Sequence, residues 1–274
     1  MPVSAQTKSN MTRSTTFEQE LTEISKIRNS RRSKIQKYPT VSVVIATLRE
    51  NDLENILQQM SLQTLPKFEI LLGLHAIELN SRHRAIIKRL NLRGIKVNSK
   101  KFVKTSTLGE VLTEISKLTT GELIAKIDDD DYYGPEHLRD LADALIANQA
   151  DVVGRAMNYV YLEPLSITVR RFAPTGTQAV ELWSDWVCGG TILARRSAAE
   201  SVGWFGSGTS AVDRYLLSGI TEKGGKIWCT FGAGYIYRRT FTFHTYITNY
   251  SKYLNNANEQ RVGLWSDSIF GTAK

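Results

Sequence analysis

Short β-branched runs alternate with segments of helical hydrophobic spacing between residues 40 and 148, and this order restricts the possible folds most. In one intervening segment, Leu53, Ile56, Leu57 and Met60 repeat at the spacing of a single helix face. Strands separated by helices predict a mostly parallel central α/β sheet flanked by helices. The predicted strands are TVSVVIAT (40–47), FEILLGL (68–74), IKVNS (95–99) and ELIAKID (122–128).

Two helix starts are predicted from capping boxes, in which a polar N-cap side chain is followed three residues later by Glu. The pairs are Asn51 with Glu54, and Thr107 with Glu110. In both segments the apolar helix spacing begins immediately afterwards. We therefore expect helices to begin at these two positions.

The second half of the chain is richer in strand-like runs, with one helix expected near residues 213–223. No linker separates the halves, so we expect one domain over residues 39–245 and a C-terminal tail over 246–274. Residues 1–38 are expected to form an N-terminal extension, disordered at first and helical from about residue 17. The strand-like runs are DVVGRAMNYVYL, SITVRRFA, CGGTILAR, KIWCT and YIYRRT.

Positive charge is concentrated in the N-terminal extension. The net charge is +8, and residues 1–40 contain eight Lys or Arg against three Glu. The segment KIRNSRRSKIQK (26–37) is therefore either a solvated, partly helical surface or a peripheral contact with phosphate groups, such as a membrane surface. Nucleic-acid binding is not expected, because no recognised nucleic-acid-binding signature accompanies the charge.

No apolar run reaches the roughly 18–20 residues that a membrane span needs, and no signal peptide follows the first Met. Cys188 and Cys229 are too few for a disulfide framework and are expected to be reduced core thiols. The sequence thus predicts a cytoplasmic protein, with peripheral association at the inner face of the membrane left open.

Four consecutive aspartates, Asp128–Asp131, follow the fourth predicted strand. Ligands of open α/β sheets bind at the carboxyl ends of the strands, and clustered carboxylates need a cation to offset their repulsion. Mg²⁺ commonly takes one or two carboxylates plus substrate phosphates. The run therefore predicts a divalent-metal site for a phosphorylated ligand, the alternative being a solvated acidic loop. Alternation along an extended strand would place Asp128 with Asp130, and Asp129 with Asp131.

Four motifs resemble those of the inverting nucleotide-sugar glycosyltransferases of family 2, which have the GT-A fold. The resemblance covers roughly residues 40–240 and implies that fold, with a Rossmann-like sheet and a strand-rich acceptor half. The motifs, in the family's order, are VSVVIATLREN, LGEVLTEISKLTTGELIAKIDDDD, CGGTILARRSAAESVGWF and SAVDRYLLSGITEKGGKIW.

The resemblance implies roles for residues around the donor. Asp128 would contact the nucleotide ribose, and Asp130 would be the leading ligand of Mn²⁺ or Mg²⁺. Asp131 or Asp129 would assist, and His244 is either a third metal ligand or a packed core residue. Thr47, Arg49 and Glu50 would lie along the nucleotide, together with Asp129.

A UDP-sugar is the expected donor, although this chain lacks the Asp that usually follows the family's second strand. His75 and Glu78 are the candidates to replace it. Lys126, just before the Asp run, is interpreted either as a solvent-facing strand residue or as a phosphate contact.

On the acceptor side, the resemblance implies that Asp213 is the general base. Asp185 is a rival, and a helix N-cap is the alternative role for Asp213. Gly189 and Gly190 would allow close approach of the backbone to sugar or acceptor. Trp183 and Trp186 are interpreted as an acceptor platform or as core packing.

The predicted activity is metal-dependent, inverting sugar transfer to an acceptor hydroxyl in polysaccharide or glycoconjugate synthesis. The acceptor would be a glycan, a polymer or a lipid-linked molecule. One alternative is a nucleotidyltransferase that makes nucleotide sugars, which normally needs a Gly-rich loop that ATLREN lacks. The other is a catalytically inactive, glycan-binding GT-A domain.

Overall fold

The structure is a computed structural model that describes residue 11 and residues 14–240, 249–255 and 257–270. His244 lies outside these residues. Within them the chain begins with helix α1 and continues through the predicted alternation. The bounds are α1 Phe17–Arg32, β1 Val41–Thr47, α2 Glu50–Ser61, β2 Phe68–His75, α3 Ser81–Leu92, β3 Val97–Phe102, α4 Leu108–Ser116 and β4 Leu123–Lys126.

The second half contains short strands and helices. The bounds are β5 Tyr132–Tyr133, α5 His137–Asn148, β6 Val152–Arg155, β7 Tyr159–Leu162, β8 Ile167–Arg170, β9 Leu182–Ser184, β10 Leu193–Arg195, α6 Arg196–Ser201, α7 Val212–Glu222, β11 Ile227–Thr230, β12 Tyr235–Arg239, α8 Ser251–Leu254, β13 Glu259–Val262 and α9 Ser266–Phe270.

Across the described ranges the strands form two sheets. The larger has the order β3-β2-β1-β4-β10-β6-β11-β9, and the smaller has the order β13-β8-β7-β12-β5. Strand β1 is parallel to both β2 and β4, so Val44 lies between Leu71 and Lys126. The predicted α/β class, with a mostly parallel sheet and a strand-rich second half, is confirmed.

Alternation along the strands sends apolar side chains to both faces of the larger sheet. In β1, Val43 and Ile45 join the core beneath helices α2, α3 and α5, whereas Val44 joins the core beneath α4 and α7. Burial on both faces explains why these strands are almost continuously apolar. The cysteines, Cys188 and Cys229, are buried free thiols, as predicted.

One of the two predicted helix starts is confirmed. Thr107 and Glu110 form a capping box at α4. Helix α2 begins at Glu50, so the prediction that Asn51 caps it is wrong. The reason is that Arg49 is already at the N-cap, where its backbone N–H donates to the Thr47 hydroxyl at 3.2 Å.

Helix α1 packs against α5, so the prediction of a solvated basic surface is wrong for its arginines. Arg28 and Arg32 reach Asp140 at 2.7 and 3.0 Å, and Arg31 reaches Glu181 at 2.6 Å. These arginines stabilise the fold and do not face an external phosphate. None of the described helices is both long and apolar enough to cross a bilayer.

Candidate active site

The carboxyl ends of β1 and β4 meet a short turn, Gly189–Thr191, that precedes β10. The first turn of α7 brings Asp213 against this turn. Ala211, in the left-handed region at φ 55°, is the N-cap of α7, and no side chain caps this helix. Asp213 is therefore not the N-cap, and that alternative is wrong.

Lys126 lies at the centre of this arrangement and is only 2% exposed. Its ammonium group is 2.6 Å from Asp128 Oδ1 and 3.0 Å from Asp213 Oδ1, and it donates to the Gly189 carbonyl at 3.1 Å. Burial lowers the pKa of Lys126, but the charges of Asp128 and Asp213 raise it above its ordinary value. Lys126 is therefore a buried cation, and the solvent-facing interpretation is wrong.

The two glycines of the turn make room for these carboxylates. A Cβ on Gly189 would lie 2.0 Å from Asp213 Oδ2, and one on Gly190 would lie 2.9 Å from Asp128 Oδ2. Glycine is required at position 189 because any side chain would displace the carboxylate. In the structure these glycines lie against two aspartates, and their predicted close approach to sugar or acceptor stays a prediction.

Asp213 retains access to solvent, with 32% of its side chain exposed. Burial of the carboxyl group raises the pKa of Asp213, the Lys126 ammonium opposes this shift, and Asp128 reinforces it. A partly exposed carboxylate next to a fixed cation has the properties of a poised proton acceptor.

Asp129 joins the Asp run to the end of β1. Its carboxylate accepts from the Thr47 hydroxyl at 2.6 Å and from Arg49 at 2.5 Å, and Arg49 also lies 3.2 Å from Asp130. Burial raises the pKa of Asp129 to about 7, although Arg49 lowers it. Thr47 and Asp129 are buried against each other and hold the run in place.

Asp131 joins the run to the smaller sheet. Its oxygens accept from the Tyr235 hydroxyl at 2.6 Å and from the Arg238 backbone N–H at 2.8 Å. Burial raises the pKa of Asp131 well above its usual range. Strand β4 ends at Lys126, yet burial still alternates along the run, because Asp128 and Asp130 are partly exposed whereas Asp129 and Asp131 are buried. This agrees with the pairs that alternation predicts, although Asp129 and Asp131 contact different partners.

Sequence reasoning missed the residues that fix the turn at the Asp run. The Asp128 N–H donates to the Tyr133 hydroxyl at 2.9 Å, and that hydroxyl donates to the Gly190 carbonyl at 2.9 Å. The Gln59 side chain accepts from the Tyr133 backbone N–H at 2.6 Å. Two tyrosines, Tyr132 and Tyr133, directly follow the Asp run, and this was the sequence feature that could have indicated a hydrogen-bonded turn.

The model of the family described as glycosyl transferase family 2 matches residues 42–203, more than half of the chain. The chain belongs to glycosyltransferase family 2. The matched range includes the Asp run, Lys126 and the Gly189–Thr191 turn, whereas Asp213 lies beyond its end. No curated protein sequence matches the chain.

Solved glycosyltransferases have similar folds. The mannosyltransferase PcManGT from Pyrobaculum calidifontis, in complex with GDP-Man and Mn²⁺, matches with a TM-score of 0.59 at 15% identity, over 80% of this chain and 64% of that one. TarS 1–349 from S. aureus, in complex with UDP-GlcNAc, matches with a TM-score of 0.56 at 15% identity, over 79% and 64%. This family 2 chain thus has the GT-A fold and spans less than two thirds of the length of either of these proteins.

The carboxylate oxygens of the Asp run are the candidate ligands for a divalent metal ion in this family 2 chain. The described residues contain no group of three His, Cys, Asp or Glu side chains that could hold a metal. Asp130 and Asp128 remain partly exposed, whereas Asp129 and Asp131 are buried in contacts of the fold. Such a set fits Mg²⁺ or Mn²⁺ if the donor's phosphates and water complete the coordination.

The other residues predicted for the donor side lie at the start of α2 and near the end of β2. Glu50 is exposed at the start of α2 and accepts from Asn80. At the end of β2, His75 contacts the Lys104 carbonyl, and Glu78 pairs with Lys101. His244, the predicted third metal ligand, lies outside the described residues.

The predicted acceptor tryptophans lie at the far edge of the larger sheet. Trp183, on β9, is 38% exposed and packs edge-on against Trp228, with ring centroids 5.0 Å apart. Trp186 and Asp185 line a cleft with it. The rival base Asp185 is thus part of this cleft, whereas Asp213 is the carboxylate bound to Lys126.

Proposed function

We propose that this chain transfers a sugar from a nucleotide-diphosphate donor to an acceptor hydroxyl, with inversion at the anomeric carbon. Family membership supports glycosyl transfer as the reaction class. The observation that carries the proposal is the Lys126 ammonium, which holds Asp213 and Asp128 on either side of itself. One buried cation thereby fixes the proposed base relative to the proposed donor contact.

Asp213 acts as the general base in this scheme. Its carboxylate takes the proton from the acceptor hydroxyl as that oxygen attacks the anomeric carbon. The bond between that carbon and the donor's phosphate oxygen breaks on the opposite face, which inverts the configuration. A positioned base of this kind contributes roughly 10²–10⁴-fold to the rate.

On the donor side, Asp128 contacts the ribose, and Asp130 holds Mn²⁺ or Mg²⁺ at the diphosphate. Glu50 and Arg49 lie along the nucleotide, while buried Thr47 and Asp129 keep Arg49 in place. When bound, the metal neutralises the charge that develops on the departing diphosphate. Asp131 anchors β12 from beneath the site, so we assign it no direct contact with the ion.

A UDP-sugar is the proposed donor class. TarS was solved with UDP-GlcNAc and PcManGT with GDP-Man, so both nucleosides occur among proteins of this fold. His75 and Glu78, at the end of β2, are the proposed contacts to the base. The acceptor is a glycan, polymer or lipid-linked molecule of polysaccharide or glycoconjugate synthesis.

We place the protein in the cytoplasm, with peripheral contact at the inner membrane face. The exposed lysines Lys26, Lys34 and Lys37 support that contact, because the neighbouring arginines of α1 are engaged within the fold. Each basic side chain near an anionic surface contributes about 1 kcal/mol.

A thermal-shift screen of UDP- and GDP-sugars, with and without Mn²⁺ or Mg²⁺, tests donor binding. Ligand binding raises the melting temperature by mass action, so we expect a shift that needs both the nucleotide sugar and the metal. Asp130→Asn should remove the metal-dependent part of the shift. Asp151→Asn, directly before strand β6, is the control and should leave the metal-dependent shift unchanged. An equal shift in chelator would contradict the metal site, and no shift with any donor would contradict the proposed function.

A further inference from the structure

A groove runs from the β9 edge of the larger sheet to helix α7, the helix that carries the proposed base. Its wider part is a cleft of about 770 Å³ that contains Trp183 and Lys226. A second cleft, of about 380 Å³, contains Arg214 and Leu217 of helix α7. We call the two together the edge groove.

The two clefts form one feature because they share lining residues. Asp185, Trp186 and Thr221 border both of them. At the α7 end, Arg214 directly follows Asp213 in the chain. Trp186 lies three residues before Gly189, the glycine that packs against the Asp213 carboxylate. The edge groove therefore leads from an exposed tryptophan to the residue that follows the proposed base in the chain.

The lining of the edge groove combines aromatic rings with hydroxyl and charged groups. The Lys226 ammonium lies 5.9 Å from the ring centre of Trp183. The Ser184 hydroxyl donates a hydrogen bond to the Trp186 carbonyl at 2.8 Å. Thr175 and Thr177 add further hydroxyl groups to the wide cleft. Binding sites for polar ligands place a few hydrogen-bonding groups among aromatic surfaces in this way.

These groups match a carbohydrate better than an acyl chain. A sugar ring has an apolar face of C–H groups that packs on an aromatic ring, and a rim of hydroxyls that needs hydrogen-bonding partners. An acyl chain would leave the Asp185 carboxylate and the Lys226 ammonium without such partners, at a cost in desolvation. The wide cleft alone falls within the roughly 300–1,000 Å³ of sites for extended small molecules.

We propose that the edge groove binds consecutive sugar units of an oligosaccharide acceptor, beyond the unit whose hydroxyl reacts. This inference rests on the proposed function and narrows its acceptor to a glycan chain. Trp183 would carry the stacking contact farthest from Asp213. The affinity for acceptor should then increase with chain length until the groove is filled.

Binding of the full-length protein to a printed array tests this proposal. The array carries linear glucose, galactose, mannose and N-acetylhexosamine oligomers of one to six units. We expect binding of at least one series, with affinity rising with length. Trp183→Ala should weaken that binding at least about tenfold, as expected when an anchoring aromatic is truncated.

Two further variants separate stacking from folding. Trp183→Phe keeps an aromatic face and its packing on Trp228, and should bind within about threefold of the unmodified protein. Leu92→Ala removes an exposed apolar side chain from a cleft at another place in the fold and should change nothing. Melting temperatures of all variants are measured in the same preparations.

Binding that is insensitive to Trp183→Ala, or that does not increase with length, would overturn the proposal. So would the absence of all glycan binding by protein that binds a nucleotide sugar. Length-dependent binding through Trp183 by protein that binds no nucleotide sugar would support the edge groove and contradict the transfer reaction. The two proposals therefore fail in distinguishable ways.

Discussion

Two of the buried acidic groups among the described residues are neutralised differently. Between α1 and α5, Asp140 is in contact with Arg28, Arg32 and Arg155 at 2.7 to 3.0 Å. Burial raises the pKa of Asp140, but Arg28 and Arg155 outweigh it, so this pKa is lower than usual. Here three guanidinium groups contact one carboxylate, and Arg32 also pairs with Glu136 and Asp143.

Around Lys126, where the Asp run meets Asp213, burial outweighs the nearby cations. Burial raises the pKa values of Asp129, Asp131 and Asp213, and the nearby cations do not overcome this shift. Lys126 serves two carboxylates at once. Excess negative charge of this kind is costly and is usually retained where it serves a ligand or a reaction. The comparison separates a group that stabilises the fold from one whose excess negative charge suits the proposed cation binding and proton transfer.

Asp213→Asn should have the largest effect and should act on catalysis alone. The amide cannot accept the acceptor's proton, so transfer should fall by about 10²–10⁴-fold while donor binding remains. Steady-state rates and a donor-induced thermal shift measure the two quantities. Asp185→Asn is the matched comparison, and a greater loss there than in Asp213→Asn would reassign the base.

Asp140→Asn should act on stability. The change leaves the buried guanidinium of Arg155 with less compensation, and disruption of a buried ion pair typically costs about 3–5 kcal/mol. Urea denaturation measures the free energy of unfolding. Glu114→Gln, in exposed pairs with Lys100 and Lys117, should cost no more than about 1 kcal/mol. Equal losses in the two variants would remove the distinction between the buried and exposed carboxylates.

Lys126→Met should lower the rate of transfer by roughly 10²-fold, because Asp128 and Asp213 lose the cation that fixes their separation. We expect the loss mainly in kcat, since positioning of the base matters after the donor has bound. Kinetics at saturating donor measure this. Lys100→Met, at an exposed lysine, is the control. A loss confined to the KM for donor would indicate a phosphate-binding role for Lys126.

The pH dependence of stability should show the smallest effect. The unfolded chain titrates Asp140 near its ordinary pKa of about 3.9, and the folded protein titrates it lower. The stabilisation by Asp140 is therefore complete above about pH 4 and disappears as the pH falls through the folded pKa. Urea denaturation of the unmodified protein and Asp140→Asn from pH 7 to pH 3 should show the difference shrinking. A difference that grows towards low pH would contradict the lowered pKa.

Local patterns predicted most of the fold. Strand runs and helix faces depend on residues that are close in sequence. The alternation of strands and helices, and the capping box of Thr107 at the start of α4, could therefore be predicted. The docking of α1 could not, because Arg28 and Arg32 meet partners more than a hundred residues later. Until those partners are placed, an arginine-rich segment has the composition of a solvated helix.

In the site, the sequence located the carboxylates but not their partners. Lys126 could not be paired with Asp213, which lies on a distant helix. Alternation paired Asp129 with Asp131, which are both buried, but it did not predict their different partners, because those partners lie on distant segments of the chain. Side chains in a turn are directed by long-range hydrogen bonds, such as that from Tyr235 to Asp131.

The reaction itself can be tested by incubating the protein with Mg²⁺, oligosaccharides and either nucleotide sugars or nucleoside triphosphates, while following the released phosphates by ³¹P NMR and the anomeric configuration of the product by ¹H NMR. Our account predicts a nucleoside diphosphate and a glycoside of inverted anomeric configuration, with both lost in Asp213→Asn. Release of inorganic diphosphate from a nucleoside triphosphate, or a product of retained configuration, would contradict it.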